Sequence, residues 1–269
     1  YCIYYLYYFI VHVILNRHKL FKGNSMNKIN KDAAKIIVLC NQKGGSGKST
    51  ISLQLAGTIA MRGSRVLLID ADPQGTSVRW VSSADEDKPF PAMVAGLSAA
   101  GGKVHREINK FSNDYDYIIV DCPPAVDSPV PQSALMVADL AIVPIIPSPP
   151  DLWASVGIKE LIQRMSDLNE GLESRLVINM LQANTNISKD VMEALKDFDI
   201  PLAENMLHLR TVYRQSAVYG GTVHSMPNAE KAIEEVENLA SEILNILSSN
   251  SRNINKAELI NTVNTINTI

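Results

Sequence analysis

A glycine-rich segment with two lysines contains the residue types that most directly indicate chemistry in this sequence. It follows an apolar run, residues 36–39, and consists of Lys43, Gly44, Gly45, Ser46, Gly47, Lys48, Ser49 and Thr50. Glycines let backbone N–H groups point inward around an anion, and a following helix adds the positive end of its dipole. We therefore predict that these residues bind the phosphates of a nucleotide, with Lys48 on the β and γ phosphates and the Ser49 hydroxyl on Mg²⁺.

The segment departs from the usual P-loop pattern, G-x-x-x-x-G-K-[ST], at its first position. Gln42 stands where the first glycine belongs, and Lys43 adds a second lysine ahead of Lys48, so that the pattern is K-G-G-x-G-K-[ST]. A glycine-rich turn with lysines present by chance is the alternative. The preceding strand and the acidic motifs that follow disfavour it.

Acidic residues end two further apolar runs. Asp70 and Asp72 close residues 66–72, and Asp121 follows residues 117–120. Ligands of open α/β sheets bind at the carboxyl ends of the strands. Phosphoanhydride hydrolysis needs a positioned water and a metal, so one acid of the first pair can orient water while the other supports the metal shell. Asp121 fits a carboxylate that holds Mg²⁺ through water; the alternative for Asp72 is a cap of the Asp-Pro turn.

These residues must be positioned by alternating strands and helices. Continuously apolar runs separated by helical patterns indicate βαβ units, and hence an α/β fold of the P-loop NTPase type, with a mostly parallel twisted sheet and helices on both faces. The predicted strands are residues 35–40, 65–70, 117–121, 140–145 and 175–181. The predicted helices are residues 48–62, 102–111, 151–166, 188–197, 211–219 and 228–247.

Composition agrees with one ordinary globular domain. Of the 269 residues, 46% are hydrophobic and 20% are charged, and the net charge of −3 means that contact with nucleic acid would need a local basic patch. The three cysteines, Cys2, Cys40 and Cys122, form no C-x-x-C pair. Neither a disulfide framework nor a zinc site is indicated, and a reducing compartment fits.

The two ends of the chain differ from the middle. Residues 1–15 are apolar and aromatic, but they fall short of the roughly 20 needed to span a bilayer as a helix. Lys22 and Gly23 can be encoded by a purine-rich run that resembles a bacterial ribosome-binding site, and Met26 follows shortly after them. Residues 1–25 are therefore interpreted as translated upstream sequence. Residues 26–34 form a polar lead-in, 35–248 the ATPase domain, and 249–269 a flexible tail.

In their order and spacing, these motifs resemble the ParA/MinD family of deviant P-loop ATPases over residues 35–247. The resemblance implies ATP and Mg²⁺ as cofactors and a homodimer in which ATP is sandwiched between subunits, with Lys43 reaching the partner's nucleotide. It also implies that Asp72 positions the attacking water and that Asp70 lies nearer the metal.

The chain is most similar in pattern to the small ParF-like partition ATPases, which share a proline-rich stretch after the fourth strand. The resemblance places Pro147, Pro149 and Asp151 near the dimer interface, although the prolines could also end a strand while Asp151 caps a helix. Asn179 matches an adenine contact of relatives and is otherwise a turn residue.

Two arginines four residues apart, Arg210 and Arg214, match the family's basic segment. Partition ATPases use such residues to bind DNA without sequence preference when dimeric, and phosphate contacts need only a few cations on one face. The two arginines share a face if the helix extends back to Arg210. The alternative is a solvated basic face.

The resemblance implies a cytoplasmic, nucleoid-associated partition ATPase, released from DNA by hydrolysis that a ParB/ParG-like centromere-binding protein stimulates. A MinD-like membrane-cycling ATPase is one alternative, but the partial apolar stripe at residues 259–266 has little positive charge beside it, so no membrane partner is expected. An electron carrier would need cluster-ligating cysteines besides Cys122. A metabolic ligase would need substrate contacts that the sequence does not show.

Overall fold

The computed structural model describes residues 33–124, 128–182, 193–195 and 198–266. These residues belong to one compact unit, Ala33–Ile269. The predicted upstream segment 1–25 and most of the lead-in 26–34 lie outside the described residues. So does most of the predicted helix 188–197.

The described residues form a six-stranded parallel sheet with the order β3-β2-β4-β1-β5-β6. The strands are β1 (Lys35–Leu39), β2 (Val66–Asp70), β3 (Met93–Gly96), β4 (Tyr117–Asp121), β5 (Leu140–Ile145) and β6 (Glu173–Ile178). The predicted α/β fold is confirmed, and five of these strands were predicted. The sequence analysis missed β3, an edge strand of four residues that pairs only with β2 and has a weak apolar signal.

Helices cover both faces of the sheet because alternate residues of each strand point to opposite sides. Ile36 and Val38 of β1 belong to one hydrophobic cluster, and Ile37 and Leu39 belong to the other. The helices are α1 (Lys48–Met61), α2 (Thr76–Val81), α3 (Val104–Phe111), α4 (Pro129–Leu135), α5 (Pro149–Ala154), α6 (Val156–Leu168), α7 (Thr211–Val218) and α8 (Glu230–Ile266).

Two helical predictions need correction, and two helices were not predicted. The predicted helix 151–166 is two helices, α5 and α6, which meet at Ser155, whose hydroxyl donates to the Asp151 carbonyl at 2.7 Å. Helices α2 and α4 were not predicted, since six or seven residues are too few to show a helical period. The last helix extends to Ile266 instead of ending at 247, and no glycine or proline interrupts residues 248–269. None of the described helices combines the length and apolar character needed to cross a bilayer.

Strand register brings the motifs together at one sheet edge. Leu39 is paired with Asp121, and Asp70 is paired with the same Asp121 from the other side. The segment that follows β1, which contains the glycine-rich loop, therefore leaves the sheet beside both carboxylates.

Candidate nucleotide and metal site

The glycine-rich loop turns into α1 through two left-handed glycines. Gly45 and Gly47 have φ angles of 77° and 92°, which L side chains rarely adopt. A Cβ atom at Gly47 would also stand 2.0 Å from Asn179 Nδ2. Lys48, the first residue of α1, is buried, and its Nζ donates to the Lys43 carbonyl at 3.2 Å. The loop thus has the compact form that a phosphate cradle requires.

Two buried asparagines brace the loop. Asn41 Nδ2 donates to the Pro144 carbonyl at 2.6 Å, and its Oδ1 accepts from the Lys43 N–H at 3.2 Å. Asn179 Nδ2 donates to the Ser46 carbonyl at 2.8 Å. The predicted adenine contact Asn179 therefore also serves as a brace between the end of β6 and the loop.

A cavity of about 360 Å³ opens above the loop. Its lining contains predicted residues from two motifs: Gly45, Gly47, Lys48, Ser49, Thr50 and Asp72. Burial lowers the pKa of Lys48, and the nearby Asp121 opposes that shift. Phosphate groups in this cavity would supply the negative charge that keeps Lys48 protonated.

Asp121 is the carboxylate best suited to a metal. It is fully buried; its Oδ2 accepts from Ser77 Oγ at 2.8 Å, while its Oδ1 has no hydrogen-bond partner. Burial raises the pKa of Asp121 to about 7. An unpartnered buried carboxylate oxygen is costly. The Ser49 hydroxyl, which lines the cavity, lies close enough to Asp121 to oppose the rise of its pKa, so the two side chains fit a Mg²⁺ shell. The ion would neutralise developing phosphate charge there.

Asp70, predicted to lie near the metal, binds backbone N–H groups with both carboxylate oxygens. Its Oδ1 accepts from the Asp72 N–H at 3.2 Å, and its Oδ2 accepts from the Val78 N–H at 3.0 Å. These bonds fix the start of α2, and each oxygen keeps a further lone pair. The role of Asp70 beside the metal stays a prediction.

Asp72 combines the two interpretations that the sequence left open. Its Oδ1 accepts from the Gln74 N–H at 2.9 Å, which is a turn cap. The same side chain lines the phosphate cavity together with Lys48. The role of Asp72 in positioning water remains a prediction that this placement allows.

Lys43 points away from its own phosphate cavity. Its Nζ lies 2.7 Å from Asp151 Oδ2, and Lys43 is not among the residues that line the cavity. Asp151 is buried in the first turn of α5, and the helix cap is Ser148, whose hydroxyl accepts from the Asp151 N–H and donates to the Asp151 carboxylate. The prediction that Asp151 itself caps the helix is therefore wrong. Of the two prolines predicted at an interface, Pro147 is buried and Pro149 is exposed.

A smaller cavity of about 190 Å³, which we call the base slot, adjoins the phosphate cavity. The two cavities share Thr50 and Met180, and Asn179 lines the base slot. Its contact with adenine stays a prediction. Met180 has a φ angle of 54°, a strained backbone for a non-glycine residue. The arrangement provides space for phosphates and a base side by side.

The two predicted DNA-binding arginines do not form one helical face. Helix α7 begins at Thr211, and Arg210 before it has extended backbone. Its guanidinium Nε donates to Glu235 Oε1 at 3.0 Å, and Glu235 also accepts from His208 and Tyr213. Arg214 is exposed and makes no ion pair within the part of the chain that the structure describes.

Comparison with known proteins decides the family. The domain described as "CobQ/CobB/MinD/ParA nucleotide binding domain" matches residues 37–223. The chain belongs to this family. It is accordingly a P-loop ATPase with ATP and Mg²⁺ as its cofactors.

Individual relatives of this ParA/MinD-family chain perform different tasks. It is 29% identical to maintenance of carboxysome distribution protein A from Halothiobacillus neapolitanus over 209 residues, which cover 77% of this chain and 95% of that protein. It is also 29% identical to the sporulation initiation inhibitor protein Soj from Bacillus subtilis over 205 residues, covering 61% and 79% of the two chains. The fold matches an ATP complex of Cyanothece McdA with a TM-score of 0.67 at 18% identity, covering 79% and 96%.

Sequence reasoning missed several residues of this ParA/MinD-family site. Asn41 braces the loop, Ser77 binds Asp121, Trp80 and Tyr213 line the base slot, and Glu235 binds Arg210. Ser77 and Trp80 follow shortly after Asp70 and Asp72, and this position could have indicated a role in the site. No sequence pattern indicated Glu235, because its partners lie 22 or more residues away in the chain.

A larger open groove, of about 790 Å³, lies elsewhere, between β6 and α8. Its lining includes Glu173, Arg175 and Glu242, and none of the predicted site residues. Its size alone does not indicate nucleotide binding, since it lacks the loop and the carboxylates.

Proposed function

We propose that this chain is a DNA-segregation ATPase that forms a homodimer around ATP, binds DNA without sequence preference in that state, and leaves DNA on hydrolysis. The observation that carries the proposal is the position of Lys43. Its amino group contacts Asp151 near the start of α5 and does not enter its own phosphate cavity. Once its contact with Asp151 opens, a lysine placed there is available to the nucleotide of a second copy.

Exposed apolar residues beside Asp151 support a second copy at this face. Trp153 is 71% exposed and Val156 is 50% exposed, on the short helices that begin next to the Lys43 contact. Aromatic residues are enriched where proteins associate. Pro149, the exposed proline of the ParF-like stretch, lies on the same segment.

DNA contact is proposed for Arg214, with Arg210 contributing only if its bond to Glu235 opens. One arginine per subunit becomes two in a dimer, and phosphate binding of this type weakens as salt rises. We further propose the ParF-like subtype, a cytoplasmic location on the nucleoid, and a centromere-binding partner that stimulates hydrolysis. The similarity to the chromosome-partitioning ATPase Soj from Thermus thermophilus, at 28% identity, supports a role in partition.

A second candidate is the positioning of another cargo by the same ATP-driven cycle. The relative from Halothiobacillus neapolitanus, named for carboxysome distribution, is covered over 95% of its length. Both candidates share the dimer and DNA binding. They differ in the partner protein, so co-purification from the native host separates them.

The test measures DNA retention and dimer formation with and without Mg·ATP. We expect the wild type to elute as a dimer and to shift a DNA fragment only with ATP, and less so as salt rises. Lys43→Ala should lose both properties, while Lys231→Ala, a change of an exposed lysine on α8, should retain them. Liposomes run in parallel test the membrane-cycling alternative. Binding to vesicles and not to DNA would overturn the proposal.

A further inference from the structure

Helix α2 lies between the phosphate cavity and the base slot, and its first turn is tied to both carboxylates. Ser77 Oγ donates to Asp121 Oδ2 at 2.8 Å, and the Val78 N–H donates to Asp70 Oδ2 at 3.0 Å. The loop before it is short: Asp72 Oδ1 accepts from the Gln74 N–H, and Gly75 is the N-cap of the helix. The position of Asp72 therefore follows the position of α2.

The other end of α2 is fastened by Trp80. The indole is 9% exposed, lines the base slot, and donates from Nε1 to the Gly221 carbonyl at 3.0 Å. The backbone just beyond α2 packs equally closely, because a Cβ atom at Gly220 would lie 2.1 Å from the Ala84 nitrogen. Trp80 thus joins α2 to the turn that follows α7.

The turn that follows α7 is itself fixed to α1, the helix that begins in the glycine-rich loop. Gln54, fully buried in α1, donates from Nε2 to Ser216 Oγ at 3.1 Å, and its Oε1 accepts from the Val223 N–H at 2.9 Å. The Gly221 carbonyl is therefore held by the same helix that carries Lys48. The Trp80 hydrogen bond sets where α2 lies relative to the phosphates.

We propose that Trp80 is a positioning residue for ATP hydrolysis. A base in the slot contacts the indole, and the indole holds α2, so that binding of a complete nucleotide steadies Asp72 and the Ser77–Asp121 contact in the positions that the structure shows. Small displacements of groups that orient reactants have large effects on rate. The inference concerns the ATPase reaction and does not depend on the proposed role in DNA segregation.

The chain offers a direct spectroscopic test because Trp80 and Trp153 are its two tryptophans. In a Trp153→Phe chain, which serves as the reference, emission comes from Trp80 alone. We excite at the red edge of the indole band, where adenine does not absorb. The expected result is a clear change of emission with Mg·ATP and a much smaller change with Mg·tripolyphosphate, which has no base.

The kinetic arm adds Trp80→Phe to the reference chain. Phenylalanine retains most of the ring packing and removes the N–H donor to Gly221. Because the residue acts through α2, we expect kcat to fall by about tenfold while KM for ATP stays within about twofold. Circular dichroism at the assay temperature confirms that both chains are folded.

Two results would overturn the proposal. One is Trp80 emission that does not respond to Mg·ATP. The other is a folded Trp80→Phe chain whose kcat equals that of the reference, or whose loss is entirely in KM, which would make Trp80 only a base contact. If Trp80→Phe does not fold, the emission measurement decides alone.

Discussion

Asp70 and Asp121 are paired in register on neighbouring strands, but their carboxylates differ in how many oxygens accept a hydrogen bond. Both oxygens of Asp70 accept from backbone N–H groups, whereas Asp121 has one oxygen without a partner. A carboxylate whose two oxygens both bind backbone N–H groups fixes local structure, and an oxygen without a partner is free to receive a ligand. We therefore expect Asp121 to contribute more to a Mg²⁺ shell than Asp70.

Asp72→Ala should abolish ATP turnover and leave ATP-dependent dimerisation intact, because the side chain is proposed to orient water and does not contact the loop. Removing a water-orienting group costs about 10²-fold or more in kcat. Steady-state phosphate release and size-exclusion runs measure the two properties. Asp87→Ala, a change of an exposed acid, is the control. Normal turnover by the Asp72 variant would remove it from this role.

Asp151→Asn should lower the ATP concentration needed for dimerisation, because it removes the charge that holds Lys43 within its own chain. The amide keeps the size of the side chain at the start of α5. Size-exclusion runs over an ATP titration check the effect, with Asp167→Asn on α6 as the control. An unchanged titration would show that the Lys43–Asp151 contact does not compete with the dimer.

At the scale of elements, helix ends carry most of the site. Helix α1 begins in the phosphate loop, α2 begins at the carboxylates, α5 begins beside Lys43, and α7 begins after Arg210. Backbone groups at helix starts lack partners within the helix, so loops and side chains must satisfy them. The junctions between these elements are therefore where substitutions should be most costly.

Gly220→Ala should destabilise the fold by much more than Gly63→Ala. Both glycines have positive φ angles, 63° and 93°, which cost roughly 1–2 kcal/mol for an L residue. A Cβ atom at Gly63 meets nothing within 4 Å, whereas one at Gly220 lies 2.1 Å from the Ala84 nitrogen. Denaturant unfolding of the two variants isolates the clash. Equal losses in the free energy of unfolding would mean that the backbone near Ala84 moves to accommodate the added Cβ atom at little cost.

Glu235→Gln should weaken the start of α7 and reduce the acid sensitivity of stability. Burial raises the pKa of Glu235, but the bonds from Arg210 and His208 outweigh it and hold the pKa below its ordinary value. Its contribution to stability is therefore present above the ordinary glutamate pKa and is lost as the pH falls through the lowered one.

Unfolding at neutral and at acidic pH tests this expectation. The Glu235 variant should lose roughly 1–3 kcal/mol at neutral pH, and its deficit relative to wild type should shrink as the solution is acidified. Glu234→Gln, a change of the exposed neighbour, should show neither effect. A deficit that stays constant with pH would contradict the charge-based explanation.

For the whole molecule, nucleotide binding and folding are linked. A ligand that binds only the native state adds about 2.7 kcal/mol at a hundredfold excess over its Kd. Mg·ATP should therefore raise the melting temperature, and EDTA should remove much of that gain because Asp121 then lacks its ion. Lys48→Ala is the control that should show little response to either. Equal melting with ATP in EDTA and in Mg²⁺ would contradict the metal site.

The amino-acid sequence by itself determined the α/β class, five strands and the motif order, because apolar runs and glycine spacing are local properties. It also predicted the phosphate loop, since Lys48 and Ser49 lie next to the glycines that position them. It missed β3, α2 and α4, which are too short to show a period.

Only the tertiary structure decided which side chains meet. It paired Lys43 with Asp151, Arg210 with Glu235, and Trp80 with Gly221. These contacts join residues 25 to 141 positions apart, so no local pattern records them. The hydrogen bonds to such partners decide whether a charged group is occupied, and they distinguish Asp70, whose two oxygens accept from backbone N–H groups, from Asp121, whose Oδ1 has no hydrogen-bond partner.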